Sequence, residues 1–323
     1  MVLLERSQTD PYFNLAAEEF ILKNTTENLL MFWQSEPSVV VGKHQNTLKE
    51  VNLDYVNRHG IPVIRRISGG GTVYHDRGNI NYTLIMESER RESLIDFKKF
   101  TQPVIEFLES LEIEARFEGK NNLTIDGKKF SGNSAHVFRN RVIHHGTFLF
   151  DSDLDILEKI INPQTEGISD KAIESIRASV TNVKPHVKEN MDLVTFQKRM
   201  TSFFMDYFHI ERTRILTPDE QAAIETLALE KYKSWKWNFG YSPKYSFKQD
   251  YLTPDGLLTV QLTTKNGIIE ELHLSLNGTM LRDQEKRIVG QIHDKEVLSK
   301  VLDKKIPADA FFPITASSRD FQA

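Results

Sequence analysis

The sequence predicts an α+β fold, a mixed or antiparallel sheet with helices packed on one side, followed by a small C-terminal α+β unit. Three observations predict it. Apolar runs of strand length are joined by hairpin dipeptides such as Asp126-Gly127, not by regular crossover helices. Amphipathic helical stretches fall between those runs, with apolar residues three and four apart. Beyond Trp237-Asn238-Phe239-Gly240 the pattern changes to short alternating strands. That change predicts a boundary near Gly240 to Ser246, dividing the chain into units 1–240 and 246–323.

Taken in order, Tyr12 to Leu22 carries Phe13, Ala16, Ala17, Phe20 and Ile21 at helical spacing, with Asn14 either capping the helix or inside it. Leu29 to Trp33 and Ser38 to Val41 read as buried strands around a turn at Glu36-Pro37. Leu48 to His59 reads as a helix stopped by Gly60, and Ile61 to Arg66 as the next strand. A glycine loop, Ser68 to Gly71, leads into a strand pair split near Asp76 to Gly78. Phe100, Val104, Phe107, Leu108 and Leu111 form one helical face, and a hairpin follows over Leu123 to Ser131. Val142 to Phe150 is a strand, and Leu154 to Ile161 and Leu193 to Phe208 are helices. Thr217-Pro218-Asp219-Glu220 opens another helix as a capping box. Strands within Tyr245 to Leu272 turn at Asp255-Gly256 and Asn266-Gly267, with helices around Lys286 to His293 and Lys295 to Leu302.

Composition narrows the function. The 323 residues are 39% hydrophobic and 10% aromatic, so the chain can build a sizeable core. A formal net charge of -4 leaves no positive excess for a phosphate polymer, which argues against nucleic-acid binding. There is no cysteine, which closes any route through an enzyme thioester or a thiolate metal site. The first residues, MVLLERSQTD, carry charge too early for a secretory segment, and no apolar run reaches membrane-spanning length. A cytoplasmic location without membrane attachment is the expectation.

Three segments could carry chemistry. In RRISGGGTVYHDRGNINY, three consecutive glycines let the backbone approach an anionic ligand closely. Arg65 and Arg66 precede them, and strand alternation sends only one to each face, where a guanidinium can meet a phosphate or carboxylate bidentately. The loop leads into a strand and is neither a Walker loop nor a dinucleotide fingerprint. In GKNNLTIDGKKFSGNS, Lys129 and Ser131 share one strand face and Lys128 and Phe130 the other. If Phe130 enters the core, Lys129 faces a cleft; taken alone, both lysines read as solvated turn residues. In HHGTFLF, His144 and His145 face opposite sides and cannot chelate one ion, and His75, His136 and His186 lack ligand spacing. No Gly-x-Ser-x-Gly elbow is present.

Seven segments in order resemble the lipoate–protein ligase A family of the biotin/lipoate ligase superfamily, across almost the whole chain. They are PYFNLAAEE, VVVGKHQN, RRISGGGTVYHD, GKNNLTIDGKKFSGNS, HHGTFLF, SIRASVTNV and SWKWNFG. The resemblance implies a biotin/lipoate ligase-like catalytic domain with a C-terminal accessory domain. It implies activation of lipoate by ATP to lipoyl-AMP with release of pyrophosphate, Mg²⁺ assistance, and transfer to a carrier lysine. The carrier would be an E2 lipoyl domain of a 2-oxoacid dehydrogenase or a glycine cleavage H protein. Lys129 matches the family's essential lysine. Arg66 and Gly71-Thr72-Val73-Tyr74 match ATP-contacting positions, and Ser68, Gly69, Gly70, His75, Asp76, Asn79 and Asn121 join the implied substrate and ATP site. His145-Gly146-Thr147 would line the same cleft, and Arg177 and Asn182 fall in a segment that folds over the adenylate.

Two departures stand out. Asn122 occupies a position where the family often carries aspartate, so metal ligands stay unassigned, and SIRASVTNV lacks a second arginine that many relatives have. An apolar slot for the lipoyl chain is expected near Trp33, Val40 and Phe148. The rival readings are a lipoyltransferase that uses only preformed lipoyl-AMP and a non-catalytic lipoate-binding relative. A biotin ligase is disfavoured because its glycine–arginine loop differs, and a cysteine-dependent octanoyltransferase is closed by composition.

Overall fold

A computed structural model describes residues 1–87, 95–161 and 166–313. Its main element is an eight-stranded mixed sheet. In spatial order the strands are β12 (Arg212–Arg214), β1 (Val2–Leu4), β2 (Leu29–Trp33), β6 (Asn79–Glu87), β10 (Arg141–Leu149), β9 (Lys128–Phe138), β8 (Asn122–Ile125) and β7 (Arg116–Glu118). The pairs β1–β12 and β1–β2 are parallel and the others antiparallel. A second sheet has three strands, β3 (Ser38–Val41) between β4 (Val63–Arg65) and β5 (Val73–His75).

Helices cover both faces of the large sheet, where one-sided packing was expected. Helices α4 (Phe97–Ser110) and α6 (Leu193–Tyr207) bury Phe107, Phe196 and Phe204 against Phe32, Phe148 and Phe150. Helices α1 (Pro11–Asn24) and α7 (Pro218–Leu227) pack with Met31, Trp33, Ile85 and Ile143 on the opposite face, together with Val40 and Ile64 of the small sheet. The two faces are possible because residues alternate along β2, β6 and β10, each side apolar.

Local chemistry explains several boundaries. Asp10 caps α1, accepting from the Phe13 amide at 2.8 Å with Pro11 in the first turn, so Asn14 lies inside the helix. The helix expected over 48–59 is two, α2 (Thr47–Glu50) and α3 (Leu53–Arg58), because Asn52 caps the second by accepting from the Tyr55 amide. That break lets Glu50 turn inward. The strands flanking Asp76 to Gly78 do not pair with each other: β5 joins the small sheet and β6 the large one. Thr217 and Glu220 complete the expected capping box.

The C-terminal part forms a five-stranded sheet. It contains β13 (Tyr245–Thr253), β14 (Gly256–Lys265), β15 (Ile268–Leu276) and β16 (Thr279–Met280), with β11 (Ile168–Asp170) from earlier in the chain on its edge. Helices α8 (Arg282–Ile288) and α9 (Lys295–Val301) cover one face. The first was expected to reach His293 but ends at Ile288, where the chain turns through Gly290 at φ 89°. Among the described residues no helix is long and apolar enough to cross a membrane.

Candidate active site

The glycine loop hangs between β4 and β5, and the two arginines before it separate as alternation requires. Arg65 turns away from the cleft and is fully buried. Its guanidinium donates to the Gly42, Lys43 and Gln45 carbonyls, the Thr47 and Ser242 hydroxyls, and the Trp237 and Asn238 carbonyls, at 2.7–3.1 Å. It fastens the loop after β3 to the SWKWNFG segment. Arg66 faces the cleft, but it also spends its donors on protein. It bonds Ser68 Oγ at 3.0 Å, the Val40 carbonyl at 3.2 Å, and the carbonyls of Gly69 and Gly71, so it shapes the glycine loop from within. Burial lowers both guanidinium groups to about 10.

Strand β9 carries the lysine. A bulge moves its pairing with β8 from Ser131 to Lys129, leaving Phe130 as the extra residue, buried in the core against Phe148. Lys129 therefore turns to the opposite side, into the hollow that holds the end of the glycine loop. Its backbone is clamped by the 179–181 segment: its N–H donates to the Ser179 carbonyl at 2.8 Å and its carbonyl accepts from Thr181 at 3.0 Å. No carboxylate among the described residues pairs with the ammonium, and burial, with Arg66 nearby, lowers its pKa below the usual lysine range.

The hollow has two chambers, of about 630 and 480 Å³, that share Thr72, Val73, Lys129 and Thr147. The outer one reaches Tyr74, Arg177 and helix α5 (Leu154–Ile160). The inner one reaches Leu15, Trp33, Val40, Arg66, His75, Asn121 and His145. Between them lies Ser175, whose hydroxyl accepts from the Thr72 amide at 2.9 Å and from Gln45 Nε2 at 3.0 Å and donates to Glu50. Gly71 lets this segment come close, since a Cβ there would sit 3.0 Å from Ser175 Oγ.

Under the inner chamber runs a buried polar chain. Glu18, on α1, accepts from Thr83 Oγ1 at 2.6 Å and from His145 Nδ1 at 2.8 Å. His145 Nε2 in turn lies 2.6 Å from Ser68 Oγ, which accepts from Arg66. Nδ1 donates to the carboxylate, and Nε2 shares a hydrogen bond with the serine hydroxyl. Burial pushes the Glu18 carboxyl up, but His145, Thr83 and Arg6 outweigh it and hold it below its usual range. His144 faces the other way and stacks on Phe100 at 3.7 Å, as alternation requires.

Several other expected residues hold the frame. Asp76 accepts from the Gly78 and Asp153 amides at 2.9 and 2.8 Å and so anchors the start of α5. Asn79 accepts from the Phe148 amide and donates to Asn81, each at 3.1 Å. Asn182 brackets Ser152, accepting its N–H and donating to its carbonyl. Asn121 ties its amide to the Asn133 carbonyl. Gly146 must be glycine, since a Cβ would lie 2.3 Å from Asn133 Oδ1. Of the residues expected around an apolar slot, Trp33 and Val40 line the inner chamber, whereas Phe148 packs into the opposite core because it is out of phase with Thr147. The sequence reading did not single out Glu18, Gln45, Glu50, Asn81 or Ser175. Glu18 carried one signal: Asn14 and Glu18, four apart, share one helix face and interrupt the apolar run from Phe13 to Leu22.

Residues 10–205 match the lipoyl protein ligase A/B catalytic domain. The chain belongs to that family. Among its relatives, lipoate–protein ligase 1 of Staphylococcus aureus is 36% identical over 303 residues, 92% of this chain and 91% of the relative. The lipoate-protein ligase LplJ of Bacillus subtilis is 34% identical over 302 residues, 91% of each. Among solved structures, a lipoate-protein ligase A bound with ATP superposes with a TM-score of 0.64 at 25% identity, covering 74% of this chain and 98% of that one. A putative lipoate protein ligase from T. acidophilum with bound lipoic acid gives 0.63 at 25% identity, with the same coverage.

Proposed function

We propose that this family member is an ATP-dependent lipoate–protein ligase of the cytoplasm, with a catalytic unit over 1–240 and an accessory unit over 246–323. The observation that carries the reading is Lys129 at the junction of the two chambers. The inner chamber, walled by Leu15, Trp33 and Val40, suits an acyl chain, and the outer one, with Arg177 and the Thr72-Val73-Tyr74 segment that follows the glycine loop, suits the nucleotide. The carboxylate then meets the α-phosphorus beside Lys129. Attack forms the acyl–phosphate bond and expels pyrophosphate, and negative charge gathers on the phosphoryl oxygens, where a fixed ammonium stabilises it. In the second step a carrier lysine attacks the acyl carbonyl and AMP leaves, with Lys129 neutralising the departing phosphate.

Solved neighbours support the substrates: ATP bound on one, lipoic acid on another, and a Thermoplasma acidophilum ligase with its E2 lipoyl domain. We therefore assign lipoate and ATP as substrates and a lipoyl-carrier domain, of E2 or H-protein type, as acceptor. For Mg²⁺ the described residues offer no dedicated cage. Among the described residues no group of three or more histidine and acidic side chains could hold a metal ion, and Asn122 is uncharged. The ion would have to come with the phosphates.

The test is incubation with ATP, Mg²⁺, lipoate and a lipoyl-domain acceptor, following pyrophosphate and the intact mass of the acceptor. Lys129→Ala should lose about 100-fold or more in lipoate-dependent pyrophosphate release while keeping the wild-type circular dichroism spectrum. Wild-type rates in that variant would overturn the assignment. If an acceptor is modified only when lipoyl-AMP is supplied, the protein is a transferase and the adenylation step is wrong.

A further inference from the structure

Two buried polar side chains of the inner chamber stand out. Asn81 is 2% exposed and His75 is 4% exposed, and both line the chamber. Among the described residues, Asn81 Nδ2 and His75 Nδ1 lack a hydrogen-bond partner. The Asn81 amide orientation follows from its neighbours. The Phe148 N–H donates to Asn79 Oδ1, so Asn79 presents Nδ2 to Asn81, whose Oδ1 accepts it. The amide nitrogen of Asn81 is the end left over. Burial lowers His75 to about 3, so its ring is neutral at ordinary pH. Leaving such groups unsatisfied costs about 1–3 kcal/mol each, so a ligand that meets them gains.

The sheet register says where they lie along a bound acyl chain. Trp33 on β2 is the register partner of Asn81 on β6, and Asn81 is the partner of Thr147 on β10. Thr147 Oγ1 accepts from the Gly132 amide on β9, and Lys129 Nζ lies 2.8 Å from where a Gly132 Cβ would stand. Lys129, Thr147, Asn81 and Trp33 thus form a row across four neighbouring strands. At about 4.8 Å per strand, Asn81 is about 10 Å and Trp33 about 14 Å from the strand carrying the lysine. His75 closes the far end, its ring edge-on to Trp33 at 5.6 Å between centroids.

We propose that Asn81, with His75 and Trp33, is a sulfur-recognition point that selects the dithiolane ring of lipoate over a saturated acyl tail. The inference rests on reading the inner chamber as the acyl site. With the carboxylate at Lys129, the distal end of the chain reaches this cluster. Dithiolane sulfur accepts a weak hydrogen bond from an amide N–H and packs favourably against an aromatic ring. A methyl or methylene in its place leaves the donor buried and unpaired, and the penalty makes the discrimination.

The test uses calorimetric binding of three carboxylates to the full-length protein: lipoate, octanoate and 5-cyclopentylpentanoate, which keeps a five-membered ring without sulfur. The wild type should bind lipoate about tenfold tighter than either analogue. Asn81→Leu should bring the three within about twofold, mainly by tightening the analogues. Wild-type affinities within twofold of one another, or no measurable binding of any of the three, would overturn the inference without recourse to a variant. So would a properly folded Asn81→Leu that keeps the tenfold ratio. Absent pyrophosphate release with an intact binding ratio would instead overturn the proposed reaction and leave this assignment standing.

Discussion

Arg65 provides the sharpest test of how the site is held. It is fully buried and contacts seven oxygens, none of them a carboxylate. Replacing it with leucine removes every donor at once, but the loss is not seven hydrogen bonds. The Gly42 carbonyl keeps the Gln45 amide at 3.2 Å, and the Asn238 carbonyl keeps the Thr47 hydroxyl at 2.7 Å. The Lys43 and Gln45 carbonyls have no other donor among the described residues. These two orphaned acceptors, and the Trp237 carbonyl, which loses its only side-chain donor among the described residues, give about 4–6 kcal/mol at about 2 kcal/mol each, and relief of the buried charge offsets part of it. A net loss of about 3 kcal/mol is expected, a large fraction of a typical total stability. Urea unfolding of Arg65→Leu at pH 7 measures it, and a change below about 1 kcal/mol would refute the reasoning. Activity should fall even at temperatures where the variant is folded, because Gln45, which accepts from the Thr72 hydroxyl at 2.9 Å, loses its anchor.

Two further outcomes follow from the same structure. Stability should fall on mild acidification: burial holds His293 at about 4 and His75 at about 3 in the folded protein, against 6.5 in the unfolded chain. The unfolded state therefore binds more protons below pH 6.5, so the full stability is present above that pH and is lost progressively towards pH 4 and below. The gap at His293 alone corresponds to about 3 kcal/mol, and an unchanged urea midpoint between pH 7 and 5 would contradict it. Gly42→Ala places a Cβ 2.0 Å from the Gly70 carbonyl oxygen, a backbone atom that cannot rotate away. Displacing the glycine loop should cost about 1–3 kcal/mol and most of the pyrophosphate release, and a variant with wild-type turnover would show that the loop position is unimportant.

What could be read from the sequence follows one physical rule. Where a residue's direction is set by its own strand, the reading holds: Phe130 goes to the core and Lys129 to the hollow, and His144 and His145 part company. The Asp126-Gly127 turn and the capping box at Thr217 are also local and were legible for that reason. Alternation said that Arg65 and Arg66 separate but not which one meets the cleft. That choice is made by partners far away in sequence, since Asn238 lies 173 residues from Arg65. The same limit hid Glu18, Gln45, Glu50 and Ser175, each a polar group with a partner from another element, such as Glu50 and Ser175 from 125 residues apart. Phe148 shows the error in the other direction: an apolar residue next to the cleft in sequence is out of phase with it in space. Asn81 is the instructive case. It looks like an ordinary strand residue, yet it sits in the middle of a buried sheet with its oxygen satisfied and its nitrogen free. Such a group is retained against its cost when a ligand supplies the missing partner, which ties specificity in this pocket to a residue that no local pattern could have marked.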